Sequence, residues 1–449
     1  MEQLQGNQAK KRAALHNLGC KVNAYETQVM SEQLKENGYE IVPFSEMADV
    51  YVINTCTVTN IADRKSRQMI HRARKKNPRS IIVAAGCYVQ SAQEKILEDL
   101  SIDIVIGNNQ KKNLIPLLRE FEKKRRRLTE MIDMSQPLEY EYMEMQQAGE
   151  HTRAFVKIQD GCNQFCSYCI IPYVRGRIRS KDIHLIEQEV RGLAARGYKE
   201  IVLTGIHLSS YGKDKYQEKI NLLTVIQTLG NIPGLERIRL GSLEQGVITE
   251  EFLEQVKKVE SFCPHFHLSL QSGSETVLKR MNRHYTPAGF LETCSRIRKI
   301  FPKAAITTDV ITGFPGETQE EFEETKDFVR KAQFAQMHIF PYSVRQGTKA
   351  QELPGQLSQS VKSRRAEELI EIGRQMELEY KKQFLQKEVQ VLIEERVQIG
   401  EKYYQIGHTK EYIKIATEEK EDYNNKIWTG IVTDFLNNEI LLAEKRILY

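Results

Sequence analysis

Short apolar runs of strand length alternate with helical stretches along most of the chain, and that alternation restricts the fold more than any other feature. In residues 13–120 the strands read "AALHNLGC", "YEIVPF", "DVYVINTCTV", "SIIVAAGCY" and "IDIVIGN". Between them lie the helical "YETQVMSEQLKENG", "ADRKSRQMIHRARKKN" (closed by Pro78) and "AQEKILEDL". Strands separated by crossover helices pair in parallel, so this part is expected to be a doubly wound α/β sheet. From residue 152 a second series begins: "AFVKIQDG", "EIVLTGIH", "RIRLGS", "FHLSLQSG", "AITTDVITGF" and "QMHIFPYS", with helices at 184–196, 249–260 and 287–300 among them. Six such units predict a complete or partial parallel (β/α)6 barrel. A polar helix is expected over 358–386, and the short alternating strands beyond it predict a small all-β barrel. The expected division is a disordered tail at 1–12, an N-terminal domain at 13–127, a linker at 128–150, a barrel domain at 151–379 and a β domain at 380–449.

The chain has 449 residues and only eight cysteines, too few for a disulfide scaffold. Its first residues, "MEQLQGNQAKKR", lack the apolar core of a secretory signal, and no apolar run approaches the ~18 residues of a membrane span. A cytoplasmic monomer without membrane contact is expected, in which thiols serve metal binding or catalysis. Residues 64–79 carry eight Lys or Arg and no acid; "KKRRR" stands at 123–127, and Arg175, Arg177, Arg179 and Lys181 follow one group of cysteines. Each run alone reads equally as a solvated helix face. Together they point to a polyanion such as RNA. The last segment offers no such argument, because residues 381–449 hold 11 basic and 12 acidic side chains.

Six of the cysteines form two groups of three. Cys20, Cys56 and Cys87 each close a predicted parallel strand, and in open α/β sheets the carboxyl ends of the strands line the ligand crevice. Sequence separations of 36 and 31 residues can therefore collapse into one site; three unrelated buried thiols are the alternative. Cys162, Cys166 and Cys169 are spaced C-x3-C-x2-C in the loop after the first barrel strand. Structural zinc asks for four ligands, and no fourth thiol stands nearby. Three thiolates suit a [4Fe-4S] cluster with one iron left open for a substrate or cofactor. Cys263 and Cys294 match no motif. His207, His265 and His267 read as structural, and Tyr403, Tyr404 and His408 as core or as stacking platforms for bases.

C-x3-C-x2-C at the start of a βα barrel, with Tyr168 before the last cysteine, resembles the radical S-adenosylmethionine (SAM) superfamily. "LGCKVNAYET", "VINTCTVT", "AAGCY", "GCNQFCSYCIIPYVRG", "LTGIHLSSYG" and "ITGFPGET" together resemble the methylthiotransferases across nearly the whole chain, and "LGCKVNAYET" is most similar to their MtaB-type tRNA branch. The resemblance implies an auxiliary [4Fe-4S] cluster on Cys20, Cys56 and Cys87 and the radical SAM [4Fe-4S] cluster on Cys162, Cys166 and Cys169. It implies a C-terminal TRAM domain that binds RNA. It also implies conversion of N6-threonylcarbamoyladenosine at position 37 of tRNA to its 2-methylthio derivative, with one SAM methylating cluster-bound sulfur and another giving the 5′-deoxyadenosyl radical. The partners would be a tRNA anticodon stem-loop and an electron donor protein. "GFPGET" (Gly313, Pro315 and Gly316 within it) looks like a SAM-contacting turn, or simply a tight turn with a helix cap. Asp309, Ser269, Gln271 and the stretch around Gly205 are placed to reach SAM or to serve the core. The rival substrates are isopentenyladenosine in tRNA and an aspartate of a ribosomal protein; the non-enzymatic rival is a zinc-containing RNA-binding protein.

Overall fold

The computed structural model describes residues 10–145 and 152–448. Most of the expected tail and the end of the expected linker thus lie outside the described residues. The chain divides into two compact units. One comprises Met1–Gly149 with Asp160–Asn163 and Cys169–Lys181; the other holds the rest.

In the first unit, β1 (Arg12–Asn17), β2 (Glu40–Ile41), β3 (Val50–Thr55), β4 (Ile81–Gly86), β5 (Ile104–Ile106) and β6 (Leu128–Glu130) form one sheet in the order β2-β1-β3-β4-β5-β6. Every pairing is parallel. The strand order reverses between β1 and β3, and in doubly wound sheets that reversal opens the crevice where ligands bind. β3 and β4 are buried at all positions, which is why they read as unbroken runs rather than alternating patterns. Tyr51, Ile53, Ile82 and Ala84 pack on Ile70 and Ala73 of α2 (Asn60–Lys76) on one face. On the other, Asn54 donates to the Asn23 carbonyl in α1 (Lys21–Glu36) at 3.0 Å. The expected linker begins differently: residues 128–130 are the sixth strand, hydrogen-bonded through Leu128 N to Asp103 O at 3.0 Å. Three residues at a sheet edge are too few to show a period, so nothing in "LTE" announces a strand. The short helices α3 (Cys87–Ser91), α4 (Gln93–Glu98), α5 (Leu114–Lys124) and α6 (Ile171–Arg175) and the two-residue β8 (Arg179–Ser180) complete this unit.

In the second unit six parallel strands follow in chain order: β7 (Arg153–Asp160), β9 (Glu200–Gly205), β10 (Arg237–Leu240), β11 (His265–Gln271), β12 (Ala305–Thr312) and β13 (Gln336–Pro341). β7, β9 and β10 pair with one another, as do β11, β12 and β13. Single bridges, Ile238 to Phe262 and Leu243 to Leu268, join the two sets into a partial barrel. β14 (Glu388–Ile399), β15 (Lys402–His408), β16 (Lys414–Glu418), β17 (Ile427–Phe435) and β18 (Leu441–Leu448) close a separate small barrel around the buried Trp428. It sits on the amino ends of the six strands. Arg237 donates to His408 O (2.7 Å) and Gln390 O (3.1 Å), and Arg239 to Lys410 O (2.8 Å) and Thr409 O (3.2 Å). Glu200 neutralises Arg239 at 2.8 Å, and Tyr412 stacks on His408 beneath the Arg239 guanidinium. With that end capped, the carboxyl ends remain for chemistry, as in barrels of this kind generally.

Candidate metal centre

Cys20 follows β1 and stands at the N-cap of α1, Cys56 follows β3, and Cys87 opens α3 directly after β4. They occupy the carboxyl ends of three adjacent strands, with Cys20 and Cys56 flanking the β1/β3 reversal. Gly19 (φ +101°) and Gly86 (φ +98°) make this possible. A Cβ on Gly19 would lie 2.8 Å from the Cβ and Sγ of Cys56, and one on Gly86 would lie 2.8 Å from the Thr55 carbonyl. All three thiols are unbridged. Burial pushes the Cys56 thiol up to about 11, and Cys87 and Cys20 push it further the same way. The Cys20 thiol is also raised by burial, with Cys87 adding to the effect and Arg175 opposing it. Cys20 is nonetheless open to solvent, unlike Cys56 and Cys87. Cys20 and Cys56 thus both lie within electrostatic reach of Cys87.

The surroundings of Cys87 are polar and dry. Arg175 and Lys111 are fully buried, as are Glu26 and Asp160 but for a percent or two. Arg175 donates through Nε to Cys87 Sγ at 3.2 Å, and its other nitrogens bind Glu26, Asp160 and Asn23. Lys111 pairs with Glu26 at 2.7 Å, and Asn108 approaches Cys87 Sγ at 3.5 Å. Cys87 also packs with Ile170 and Val174, just beyond Cys169. This corrects the reading of the basic run after Cys169. Of its four cations Arg175, Arg179 and Lys181 are buried and only Arg177 faces solvent. The basic run at 64–79 keeps its expected character. Arg64, Lys65, Arg67, Arg72, Lys75 and Arg79 are exposed, with no acidic partner among the described residues. Arg74 is tied down by Asp103, Ser80 O and Ser101 O, Lys76 donates to Ser45 O, and Arg67 reaches the Tyr88 hydroxyl at 3.2 Å.

Cys162, Cys166 and Cys169 lie in the irregular loop after β7; the first two are buried and the third half-buried. Gly161 (φ +71°) precedes Cys162, whose N–H donates to Gly176 O at 3.0 Å. In the second unit Cys166 Sγ accepts from Arg283 at 3.2 Å. Arg283 also pairs with Glu244 at 2.9 Å and donates to Tyr285, whose hydroxyl burial pushes up to about 12. Sequence reasoning missed Arg283 because 117 residues separate it from Cys166 and no motif marks it.

The remaining candidates have these surroundings within the chain. Gly313 (φ +68°) abuts Lys362, and its N–H donates to Glu317, which holds Arg365. Gly316 (φ +73°), one residue after Pro315, donates to Gly355 O at 2.9 Å. Thr318 caps the helix Gln319–Ala332 in a capping box with Glu321. The turn thus has the geometry of a capped βα turn. Asp309 lies inside β12 rather than at its end, 3.1 Å from His267 Nε2. Ser269 O accepts from Tyr285, and Gln271 ends β11 with φ +66°. Gly205 ends β9 against Gln159. Tyr404 is core, and His408 is committed to the Tyr412 stack.

Each thiol group fits an iron–sulfur cluster by its chemistry. Three unbridged thiols are grouped without a fourth, and buried N–H donors are aimed at the sulfurs of Cys87 and Cys166, as hydrogen bonds are to the ligand sulfurs of such clusters. Among the described residues no three His, Cys, Asp or Glu side chains converge as they would on a single ion. A cluster spreads its ligands over separate irons, so it does not ask for that convergence.

Residues 12–107 match the model of an uncharacterised protein family, UPF0004, and residues 156–329 that of the radical SAM superfamily. The chain is 40% identical over 416 residues to threonylcarbamoyladenosine tRNA methylthiotransferase MtaB of Bacillus subtilis (strain 168), covering 92% of both chains. It is 40% identical over 396 residues to the protein of the same name from Aquifex aeolicus, covering 88% of this chain and 96% of that one. A tRNA-2-methylthio-N(6)-dimethylallyladenosine synthase of Clostridium botulinum is 36% identical over 384 residues, 84% of each. Among solved structures, the radical S-adenosylmethionine methyltransferase TsrM from Kitasatospora setae, with cobalamin and a [4Fe-4S] cluster bound, superposes with a TM-score of 0.57. It covers 76% of this chain and 77% of its own at 14% identity, a likeness of fold alone.

Proposed function

From the premise that this chain belongs to the radical SAM tRNA methylthiotransferases, enzymes with two [4Fe-4S] clusters and SAM, we propose that it converts N6-threonylcarbamoyladenosine at position 37 of tRNA to its 2-methylthio derivative. In this reading Cys20, Cys56 and Cys87 hold the auxiliary cluster and Cys162, Cys166 and Cys169 the radical SAM cluster. Gly313, Pro315, Gly316, Asp309 and Gln271 are the SAM-facing candidates. The observation that carries the reading is the gathering of Cys20, Cys56 and Cys87 at the carboxyl ends of β1, β3 and β4 in a chain 40% identical to relatives named for this reaction.

Carbon 2 of adenine bears a C–H bond with neither acidity nor a leaving group, so acid–base catalysis cannot open it. The clusters and two SAM molecules, one for the methyl group and one for hydrogen abstraction, supply that chemistry when bound. The protein's own residues position and exclude water. Arg175 fixes Cys87, Arg283 fixes Cys166, and the buried walls around Cys56 and Cys87 keep solvent from the sulfur. The exposed cations of α2 are suited to tRNA phosphates. The proposed assembly has domains at 13–127 (with the edge strand at 128–130 added), 151–379 and 380–449, works as a cytoplasmic monomer, and takes electrons from a donor protein. No described helix is long and apolar enough to cross a membrane.

The test is anaerobic reconstitution with iron, sulfide and SAM, followed by nucleoside mass spectrometry of two tRNA substrates. One carries N6-threonylcarbamoyladenosine and the other N6-dimethylallyladenosine, the second reading raised by the 36% identical relative. A 2-methylthio product on the first alone is expected; product on the second alone overturns the substrate assignment. Iron near eight per chain is expected from two four-iron clusters. Zinc in its place would return the chain to the RNA-binding rival.

A further inference from the structure

We infer that Arg175 is a positioning residue of the auxiliary site, setting the reduction potential through Cys87 and fastening both flanks of the C-x3-C-x2-C segment to it. The inference rests on the reading that Cys87 is a cluster ligand. A guanidinium has five N–H donors in a rigid fork, and here all five are engaged. Nη1 donates to Glu26 (2.9 Å) and Asp160 (3.1 Å), and Nη2 to Asn23 (2.6 Å) and Glu26 (3.2 Å). Only Nε remains, and it points at Cys87 Sγ, 3.2 Å away. The ring of contacts leaves the fork no other orientation.

Arg175 and Lys111 pair with Glu26, and Arg175 and Arg179 with Asp160, all of them buried. Each carboxylate is thus met by cations at its own oxygens, and the Nε–H is directed to the sulfur, where a charge-assisted bond to a thiolate is strongest. Cys87 is singled out within its trio. Cys20 and Cys56 are approached by the backbone N–H groups of Asn23 and Val58, whereas Cys87 takes two side-chain donors, Arg175 and Asn108. Asn108 in turn holds the Val174 carbonyl at 2.7 Å, next to Arg175 in the chain. Asp160 stands two residues before Cys162 and Arg175 six residues after Cys169, so one side chain clamps the entrance and exit of the second motif onto the first site. Donors to a cluster's thiolate stabilise its more negative, reduced form, and hydrogen bonds to sulfur are among the levers that set cluster potentials.

The test uses the full chain with Cys162, Cys166 and Cys169 replaced by Ala, so that only the first trio can load. Its cluster is titrated electrochemically and followed by electron paramagnetic resonance, alongside Arg175→Gln and Arg175→Lys in the same background. With full iron, Arg175→Gln is expected to disfavour reduction about tenfold, ~59 mV more negative for a one-electron couple. Arg175→Lys keeps the charge without the fork and is expected to fall between. An unchanged potential in a fully loaded Arg175→Gln protein overturns the inference. Should Arg175→Gln load no iron, Arg175→Lys decides, because it keeps the charge paired with Glu26 and Asp160 and removes the Nε donor to Cys87: a shift in the same direction sustains the inference, and an unchanged potential or a second failure to load iron ends it. Failure of the parent chain to bind any four-iron cluster refutes the ligand reading itself, a result distinct from an unmoved potential.

Discussion

Gly161→Ala offers a severe test of the idea that the C-x3-C-x2-C loop is held by backbone packing. Gly161 has φ +71°, and a Cβ there would meet Arg177 O at 1.8 Å, the Arg177 carbonyl carbon at 2.5 Å and Gly176 O at 2.7 Å. All three are main-chain atoms, so no flexible side chain can swing aside. Forcing alanine into the left-handed region costs about 1–2 kcal/mol by itself. Arg177 must also retreat by more than an ångström, and the adjacent Gly176 carbonyl accepts the Cys162 N–H at 3.0 Å. Losing that bond adds about 1 kcal/mol. The sum is about 2–3 kcal/mol before repacking, and the displacement is delivered directly to Cys162. Gly38→Ala is the matched control: its φ is +86° and nothing lies within 4 Å of the added carbon, so only the conformational cost applies. Thermal unfolding of both variants, with iron and sulfide analysis in a chain whose Cys20, Cys56 and Cys87 are Ala, separates the two costs. The expectation is a larger loss of stability and a clear loss of iron for Gly161→Ala alone. Equal destabilisation with full iron in both would refute the reasoning.

Two further outcomes are expected elsewhere. Glu200 lies between the half-buried Arg153 and the buried Arg237 and Arg239, and Glu200→Gln should cost about 3–5 kcal/mol in urea unfolding, the typical penalty for stranding buried charge. Burial alone would raise the Glu200 pKa, but the arginines, Arg239 foremost, bring it down to about 2. A depressed native pKa gives stability that is present above the ordinary value near 4.3 and is lost as pH falls toward 2. Glu200→Gln should flatten the stability profile in that window, and an unaltered acid limb would count against the network. On α2, the triple reversal Lys65→Glu, Arg72→Glu, Lys75→Glu should weaken tRNA binding and lower the salt slope by roughly 0.7–0.9 per lost phosphate contact, with iron content unchanged. Arg74→Glu should instead reduce stability, since Arg74 is spent on Asp103. Equal salt slopes for the triple variant and the parent would remove α2 from the RNA surface.

What the sequence disclosed follows from how far apart the interacting residues lie. β3 and β4 were legible because strands buried on both faces must be apolar throughout. The placing of Cys20, Cys56 and Cys87 followed from the strand ends, and parallel pairing carries those ends to one edge. β6 escaped because three edge residues, "LTE", show no period. Arg175 was misread for a different reason. It shares a basic run with Arg177, Arg179 and Lys181, and local composition assigns all four to solvent. Its partner Glu26 is 149 residues away, and Cys87 is 88 away. Whether a charge can be buried is decided by neutralising groups far off in the chain, which no window on the sequence contains. Asp309 illustrates the same limit on a smaller scale: its His267 partner sits on the neighbouring strand, and only the register brings them together.

The distribution of charge also bears on where RNA affinity arises. The small β-barrel is nearly neutral, and its His408 and Tyr412 are engaged with each other and with Arg239. α2 presents an unneutralised basic face. The salt-dependent part of tRNA binding should therefore reside mainly in the first unit, leaving the small barrel to shape-dependent contacts. Deleting the barrel would mislead as a test, because it strips the carbonyls of Gln390, His408, Thr409 and Lys410 from Arg237 and Arg239. The uncovered guanidiniums would bind any polyanion, so the shortened chain would gain non-specific affinity with a steeper salt slope. Charge reversal on α2 in the intact chain avoids that artefact, because it uncovers no buried cation.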